Sequence, residues 1–199
     1  MQTMPEPFLS SEERQRYTDY YLDLLQKRLT WAANYAWENS RQPIALMEHM
    51  ISWLQILRQS HLYPELHLSA ISFIAALRQW PLHWGYWVEW EQELRFAVEV
   101  AATLQQPERQ AEFLADLANI LFNTGRLDEV LMVGEQVLSL ARLGHVLLPL
   151  AEAGSMIASI LFGRGQGEAA HHCLETLERE VTQDEIFGPR RETQFIAQA

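Results

Sequence analysis

Cysteine and lysine are almost absent from this chain, which has one of each, Cys173 and Lys27, in 199 residues. A single cysteine cannot form an internal disulfide, and one free thiol is typical of a reducing compartment. No apolar run approaches the ~20 residues that a membrane-spanning helix needs. The first residues have neither the basic nor the apolar segment of a secretory signal. We therefore expect a cytoplasmic protein that does not cross a membrane.

Positive charge is also scarce, with 15 Lys and Arg against 26 Asp and Glu and a formal net charge of −11. Nucleic acids and anionic lipids are bound by clustered Lys and Arg that displace counterions. The acidic residues are spread along the whole sequence, so neither half of the chain is basic. We expect no direct binding to nucleic acid or membrane, and a ligand of basic or neutral character is electrostatically favoured.

Signals for β-strands are nearly absent, because no Asn-Gly or Asp-Gly pair marks a hairpin and no run alternates apolar with polar residues. Apolar residues instead recur every three or four positions, which is the helical period. Ser10 and Glu13 form a capping box, which predicts a long helix to about Asn39. Proline suits the first turn of a helix, and four prolines indicate further helix starts: Pro43, Pro64, Pro107 and Pro149.

Glycine-containing turns over residues 123–129 and 163–168 separate later helices. The pattern predicts an all-α fold of about eight helices, each roughly 15 to 28 residues long, whose short connections make neighbours antiparallel. We expect four helical hairpins in a single domain over residues 10–185. Residues 1–9 are expected to be a flexible N-terminus, and residues 186–199 a C-terminal tail or short capping helix.

Two stretches match each other at an offset of forty positions: LANILFNTGRLDE from Leu117 and IASILFGRGQGEA from Ile157. Each comprises an apolar helix, a glycine turn and the start of a second helix. Repeats of this length cannot bury their apolar faces alone and must stack on their neighbours. The sequence therefore predicts an α-solenoid.

The first stretch resembles the tetratricopeptide repeat (TPR), which implies a right-handed superhelix that binds other proteins. The chain departs from that repeat in three respects. Gly134 stands where a large residue is usual, the final proline is missing, and the spacing is nearer forty than thirty-four residues. The residues that carry the resemblance occupy the first helix and the turn of the repeat: Leu117, Ala118, Leu121, Gly125 and Leu127.

A wider resemblance is to the C-terminal helical array of STAND-class signalling ATPases, and it implies an interaction or sensing module of a regulator. The phosphate-binding loop of those ATPases, G-x-x-x-x-G-K-[ST], does not occur in this sequence. The resemblance therefore implies either a detached sensor module or a relative without the ATPase. The residues that carry it are Arg16, Tyr20 and Tyr21, and then Trp84, Gly85, Trp87, Glu89, Leu94 and Ala97.

Residues 80–90, WPLHWGYWVEW, hold four of the seven tryptophans. We predict that Trp80 ends a helix, that residues 81–84 form a turn, and that Trp87 and Trp90 enter the next helix and its core. Trp84 and Tyr86 are expected to be partly exposed. An exposed docking patch and a ligand cage are the alternatives to core packing. One helical face predicts a buried stripe: Trp90, Leu94, Ala97, Ala101 and Leu104.

The sequence gives no strong signal for catalysis, a metal or a cofactor. His171, His172 and Cys173 are adjacent, and side chains ~100° apart on a helix cannot close on one ion without a second helix. Ser155 after Gly154 lacks the strand-to-helix elbow of a serine nucleophile. We expect no enzyme activity and no catalytic residue. Paired carboxylates are expected on solvated helix faces: Glu89 with Glu93, and Glu175 with Glu178.

The first helices of solenoid hairpins line a concave groove, and their amide and hydroxyl groups can pair with a peptide backbone. The alternative is that these are ordinary polar residues of an exposed helix face. The repeat register places these residues along the groove: Glu112, Ala115, Asn119, Phe122 and Asn123 from one hairpin, and Glu152, Ser155, Ser159 and Phe162 from the next.

The predicted function is therefore a non-enzymatic module that binds a protein or peptide. Two alternatives stay open: a small-molecule sensor of a signalling or transcription regulator, and a self-association element that forms a homodimer. An open polar trough favours peptide binding, whereas an enclosed apolar cavity of ~300–1,000 Å³ favours the sensor.

Overall fold

The computed structural model describes residues 10–78 and 80–183, and every regular element within these ranges is a helix. The predicted all-α class is confirmed. Contacts divide the chain into two compact units, one ending at Leu77 and the other beginning at Arg78. The predictions for residues 1–9 and 186–199 concern segments outside the described residues.

The first unit contains α1 (Ser11–Glu38), α2 (Pro43–Met47), α3 (Met50–Ser60) and α4 (His67–Leu77), with a 3-10 turn at Pro64–Leu66. The capping box is confirmed, because the Glu13 N–H donates to Ser10 Oγ at 3.2 Å and the Ser10 N–H donates to Glu13 Oε2 at 2.9 Å. Helix α1 packs against α3 and α4. The contact buries one face of α1, formed by Leu25, Leu29, Ala32 and Ala36.

The predicted length of 15 to 28 residues is wrong for three helices of this unit. Helix α2 begins at Pro43 as expected but has five residues, and α3 and α4 have eleven each. These short helices are stabilised by the side chains that they bury in a shared core. Trp53 packs edge-on against Phe73, with ring centroids 5.3 Å apart, and both side chains are fully buried.

The second unit contains α5 (Trp80–His83), α6 (Trp87–Thr103), α7 (Pro107–Asn123), α8 (Leu127–Gly144), α9 (Leu147–Gly163) and α10 (Gly167–Gln183). From α6 onward each helix contacts the next one along the chain, and α7 also contacts α9. Trp80 begins α5 instead of ending a helix, since Pro81 is compatible with a first helical turn. Within this unit the predicted helix starts at Pro107 and near Pro149 are confirmed.

The repeat extends further than the two matching stretches indicate. Five successive turns each contain one residue in the left-handed conformation, and these residues are spaced 20 positions apart. The N–H of the following residue donates to the carbonyl five positions before it at 2.9–3.2 Å, which is the long hydrogen bond of a Schellman motif. Helices α7 and α9 consequently begin and end 40 residues apart. The turn residues are Gly85 (φ 80°), Gln105 (53°), Gly125 (76°), His145 (54°) and Gly165 (76°).

Two of these turns have a side chain where glycine is favoured, which yields a stability prediction. Left-handed backbone is strained for residues with a Cβ, so Gln105→Gly and His145→Gly should each raise the free energy of unfolding by roughly 0.5–1 kcal/mol. Urea denaturation followed by circular dichroism measures this change. The matched control is Gly125→Ala, which should lower stability by a similar amount, because an added Cβ there meets no atom within 4 Å and only backbone strain acts. Unchanged midpoints for both glycine variants would contradict the assignment of these turns.

Gly134 explains one departure from the tetratricopeptide pattern. A Cβ built on Gly134 of α8 would lie 3.0 Å from Cδ1 of Ile157 on α9. A large residue at this position would therefore have to displace the Ile157 side chain. Glycine allows α9 to lie close against α8, in the groove beside α7.

Candidate functional site

The polar residues predicted on α7 do not form one open surface. Asn119 and Asn123 are exposed, but they bind each other, since Asn123 Nδ2 donates to Asn119 Oδ1 at 2.6 Å and to the Asn119 carbonyl at 2.8 Å. Phe122 is half-buried. Ala115 is buried, so the prediction that it lines an open groove is wrong.

Glu112 and Glu152 belong to a cluster of charges that sequence reasoning missed. Arg78 Nε donates to Asp116 Oδ2 at 2.6 Å and its Nη2 to Oδ1 at 3.2 Å, while its Nη1 lies 3.3 Å from Glu112 Oε2. Burial raises the pKa of Asp116 to about 6, although the Arg78 charge opposes the shift. Burial also raises the pKa of the Glu152 carboxyl. Glu112 is therefore engaged within the chain.

The strongest candidate site is a groove between α9 and α10, which we call the α9–α10 groove. It encloses about 530 Å³ and is open to solvent. Two predicted residues of α9, Ser155 and Ser159, line it together with the predicted Phe162. The wall supplied by α10 was not predicted. The main lining residues are Ser155, Ser159, Phe162, Ala170, His171 and Leu174.

The repeat explains why this groove exists. The 40-residue offset makes Ala158 and Ala170 of the groove floor, which are 4% and 5% exposed, equivalent to Ala118 and Val130 of the α7–α8 hairpin, which are fully buried. Helix α9 lies against that hairpin, contacting both α7 and α8. The α9–α10 groove is the corresponding surface of the last described hairpin. Two large apolar groups stand beside it, with Phe162 and Leu174 74% and 45% exposed.

Polar groups along the groove supply both hydrogen-bonding and charged atoms. Ser159 Oγ donates to the Ser155 carbonyl at 2.8 Å, which fixes its hydroxyl against α9. His171 Nε2 lies 3.4 Å from Glu175 Oε1 on the same helix, and both side chains are exposed. An incoming segment would therefore meet an apolar floor with hydroxyl, imidazole and carboxylate groups beside it.

The His-His-Cys run does not converge. His171 and His172 are exposed, whereas Cys173 is half-buried and its Sγ lies 3.8 Å from the Gly154 carbonyl as a weak donor. Burial raises the pKa of the Cys173 thiol, which disfavours the nucleophilic thiolate. Among the residues that the structure describes, no group of three or more His, Cys, Asp or Glu side chains could hold a metal ion.

Only one of the four tryptophans in residues 80–90 lies in the core. Trp90 is fully buried as predicted, but Trp87 is only half-buried, so its placement in the core is partly wrong. Trp84 and Tyr86 are half-buried, and Trp84 stacks on Trp80 with ring centroids 6.0 Å apart.

Two further expectations for α6 are wrong. Glu93 is fully buried, not on a solvated face, and Leu104 at the end of the predicted stripe is exposed. Helix α6 ends at Thr103, before Leu104 can join the buried face. The burial of Glu93 depends on how α6 packs, which its own sequence does not specify.

Comparisons with family models, with curated proteins and with solved structures find no significant match to this chain. Within residues 10–78 and 80–183, no helix combines the length and apolar character needed to span a bilayer.

Proposed function

We propose that the chain is a non-enzymatic protein-binding module and that the α9–α10 groove receives a helix from a partner. The single observation that carries the proposal is the position of α9, which lies against the equivalent surface of the α7–α8 hairpin. The last described hairpin, α9 with α10, offers the corresponding surface as an open groove. An amphipathic helix laid in an apolar groove is a common mode of peptide recognition.

The tetratricopeptide resemblance fits this proposal for the second unit, whose five long helices have 17 or 18 residues and contact one another in chain order. We infer that its hairpins form a right-handed stack of this type, and that the chain is a sensing or interaction part of a cytoplasmic regulator. Peptide binding is favoured over a small-molecule sensor because the groove is open to solvent, whereas drug-sized ligands prefer cavities that bury most of their surface.

Electrostatics restrict the partner. The chain has a formal net charge of −11, and Glu175 stands beside the groove next to His171. A helix with apolar residues on one face and basic or neutral residues at its margins suits this surface. An acidic helix would be repelled.

A comparative pull-down tests the proposal. Leu174→Asp places a charge on the groove wall without creating a cavity, because Leu174 is already partly exposed. We expect the intact chain to retain a partner from its source lysate and the Leu174→Asp variant to lose at least ten-fold of it. Quantitative mass spectrometry measures both. The matched control is Met132→Asp, an exposed position in the middle of α8. Equal retention by all three chains would contradict the assignment of the groove.

A further inference from the structure

A second surface, independent of the groove, lies on α1. Tyr17, Tyr20, Leu24 and Trp31 lie within about 60° of one another around this helix, given 3.6 residues per turn, and we call this row the α1 stripe. Its members are between 42% and 68% exposed. The buried face of α1 points about 120° away. Helix α1 therefore has two separate apolar faces, of which the described chain covers one.

The spacing of the α1 stripe is that of a helix-pairing seam. Tyr17, Tyr20, Leu24 and Trp31 follow the alternating three- and four-residue steps of a heptad pattern, and Lys27 occupies the remaining seam position between Leu24 and Trp31. The Lys27 ammonium is 2.7 Å from Asp23 Oδ2 on the same helix, and its side chain is exposed. At the far end Trp31 is held by stacking on Tyr35, with ring centroids 5.2 Å apart.

We propose that the α1 stripe binds the same stripe of a second copy of this chain, in an antiparallel pair centred on Leu24. The stripe is self-complementary about that residue. Tyr17 is seven positions before Leu24, and Trp31 is seven positions after it. Tyr17 of each copy therefore faces Trp31 of the other copy across a two-fold axis. Tyr20 is four positions before Leu24, and Lys27 is three positions after it. The antiparallel pair therefore brings the Lys27 ammonium of one copy near the Tyr20 ring of the other.

Charge selects this direction of pairing. In a parallel pair, Lys27 would face Lys27 of the second copy, and two like charges at the seam repel. In the antiparallel pair each Lys27 meets the π face of Tyr20, a favourable cation–π arrangement. A two-fold interface of this kind is closed, so pairing stops at a dimer.

The available area is close to that of a stable dimer. With aromatic side chains of about 200 Å² each, the exposed fractions give about 400 Å² of apolar surface per copy, or about 800 Å² for the pair. A standard interface of ~1,600 Å² has about 900–1,000 Å² of apolar area. The α1 stripe therefore provides most of the apolar core of such an interface, and its flanking polar residues provide a rim.

Sedimentation equilibrium of the full chain tests the pairing. The chain mass is 23.1 kDa, and we expect a species of about 46 kDa at micromolar concentration, the mass of a symmetric pair. Leu24→Asp should return the protein to the monomer mass, because two carboxylates would meet at the two-fold axis. The matched control, Ile51→Asp, is at an exposed position of α3 outside the α1 stripe and should remain dimeric. Circular dichroism checks that both variants stay folded.

Cysteine cross-linking tests the direction, in a Cys173→Ala background. Leu24→Cys chains should form disulfide-linked dimers on oxidation. Tyr17→Cys chains should not link to themselves but should link to Trp31→Cys chains when the two are mixed. A chain of residues 1–199 that stays at 23.1 kDa at micromolar concentration overturns the proposal. A dimer that survives Leu24→Asp, or self-linking of Tyr17→Cys, overturns it as well.

Discussion

Replacing Arg78 with methionine should lower the free energy of unfolding by about 3–5 kcal/mol at pH 8, because the variant leaves a buried carboxylate without its cation. The Arg78 guanidinium forms two hydrogen bonds to Asp116, and both side chains are at most one-fifth exposed. Glu112 and Glu152 also act on this guanidinium. Methionine retains most of the length of the side chain, so the loss reports the charge more than the packing.

The size of this loss should depend on pH. The folded-state pKa of Asp116 is raised from 3.8 to about 6, so the folded chain binds more protons than the unfolded chain between these values. Stability from this group is therefore full below about pH 4 and is lost as the pH rises through 6. Without Arg78 the pKa should rise further. The cost of Arg78→Met should consequently be smaller at pH 5 than at pH 8.

Chemical denaturation at the two pH values measures both effects. Arg142→Met serves as the control, since Arg142 also forms two hydrogen bonds to a carboxylate, that of Glu180, but at a more exposed site. Its loss should stay within about 1 kcal/mol and should change little between the two pH values. Equal losses of unfolding free energy for Arg78→Met and Arg142→Met would show that burial does not make the Arg78–Asp116 pair more important for stability than an exposed pair.

Truncating Trp90 to alanine should cost about 3–5 kcal/mol, the range for large aromatic side chains removed from a core. Trp90 is fully buried in α6 together with Leu94, Ala97 and Ala101. Its indole Nε1 has no hydrogen-bond partner among the described residues, so the loss comes from packing and not from a broken hydrogen bond. Thermal or urea unfolding measures the change.

Two further variants separate packing from other effects. Trp37→Ala removes an indole that is largely exposed, and its cost should stay below about 1 kcal/mol. Trp90→Phe keeps an aromatic ring and removes the unpartnered N–H, so it should retain more stability than Trp90→Ala. A loss at Trp90→Ala no larger than at Trp37→Ala would place Trp90 outside the core.

Local signals predicted where α7 and α9 begin and where the turns after them lie. Pro107 and Pro149 mark helix starts because proline lacks the N–H that a first turn leaves unpaired. Gly125 and Gly165 mark turns because glycine adopts positive φ without strain. Gly85 continues the same 40-residue spacing and could have extended the repeat by one turn. The intervening turns at Gln105 and His145 carry no such signal, because neither left-handed position is a glycine.

Features that depend on distant contacts were not predictable in the same way. Arg78 and Asp116 are 38 residues apart, although a charged residue within the apolar run of α7 was a signal that could have been followed. The break after α2 contains neither glycine nor proline, so the sequence does not indicate that this helix is short. In the groove, Ser155 and Ser159 followed from the repeat register, but the wall supplied by α10 required knowing how the two helices pack.

Selection of helices against the intact chain tests the central claim most directly. A displayed library of 17-residue amphipathic helices, the length of α9, should yield binders with apolar residues three and four positions apart and basic or neutral margins. These binders should lose at least ten-fold in affinity for the Leu174→Asp variant and retain it for Met132→Asp. Failure to enrich any helix, or binders with equal affinity for all three chains, would contradict a helix-receiving groove between α9 and α10.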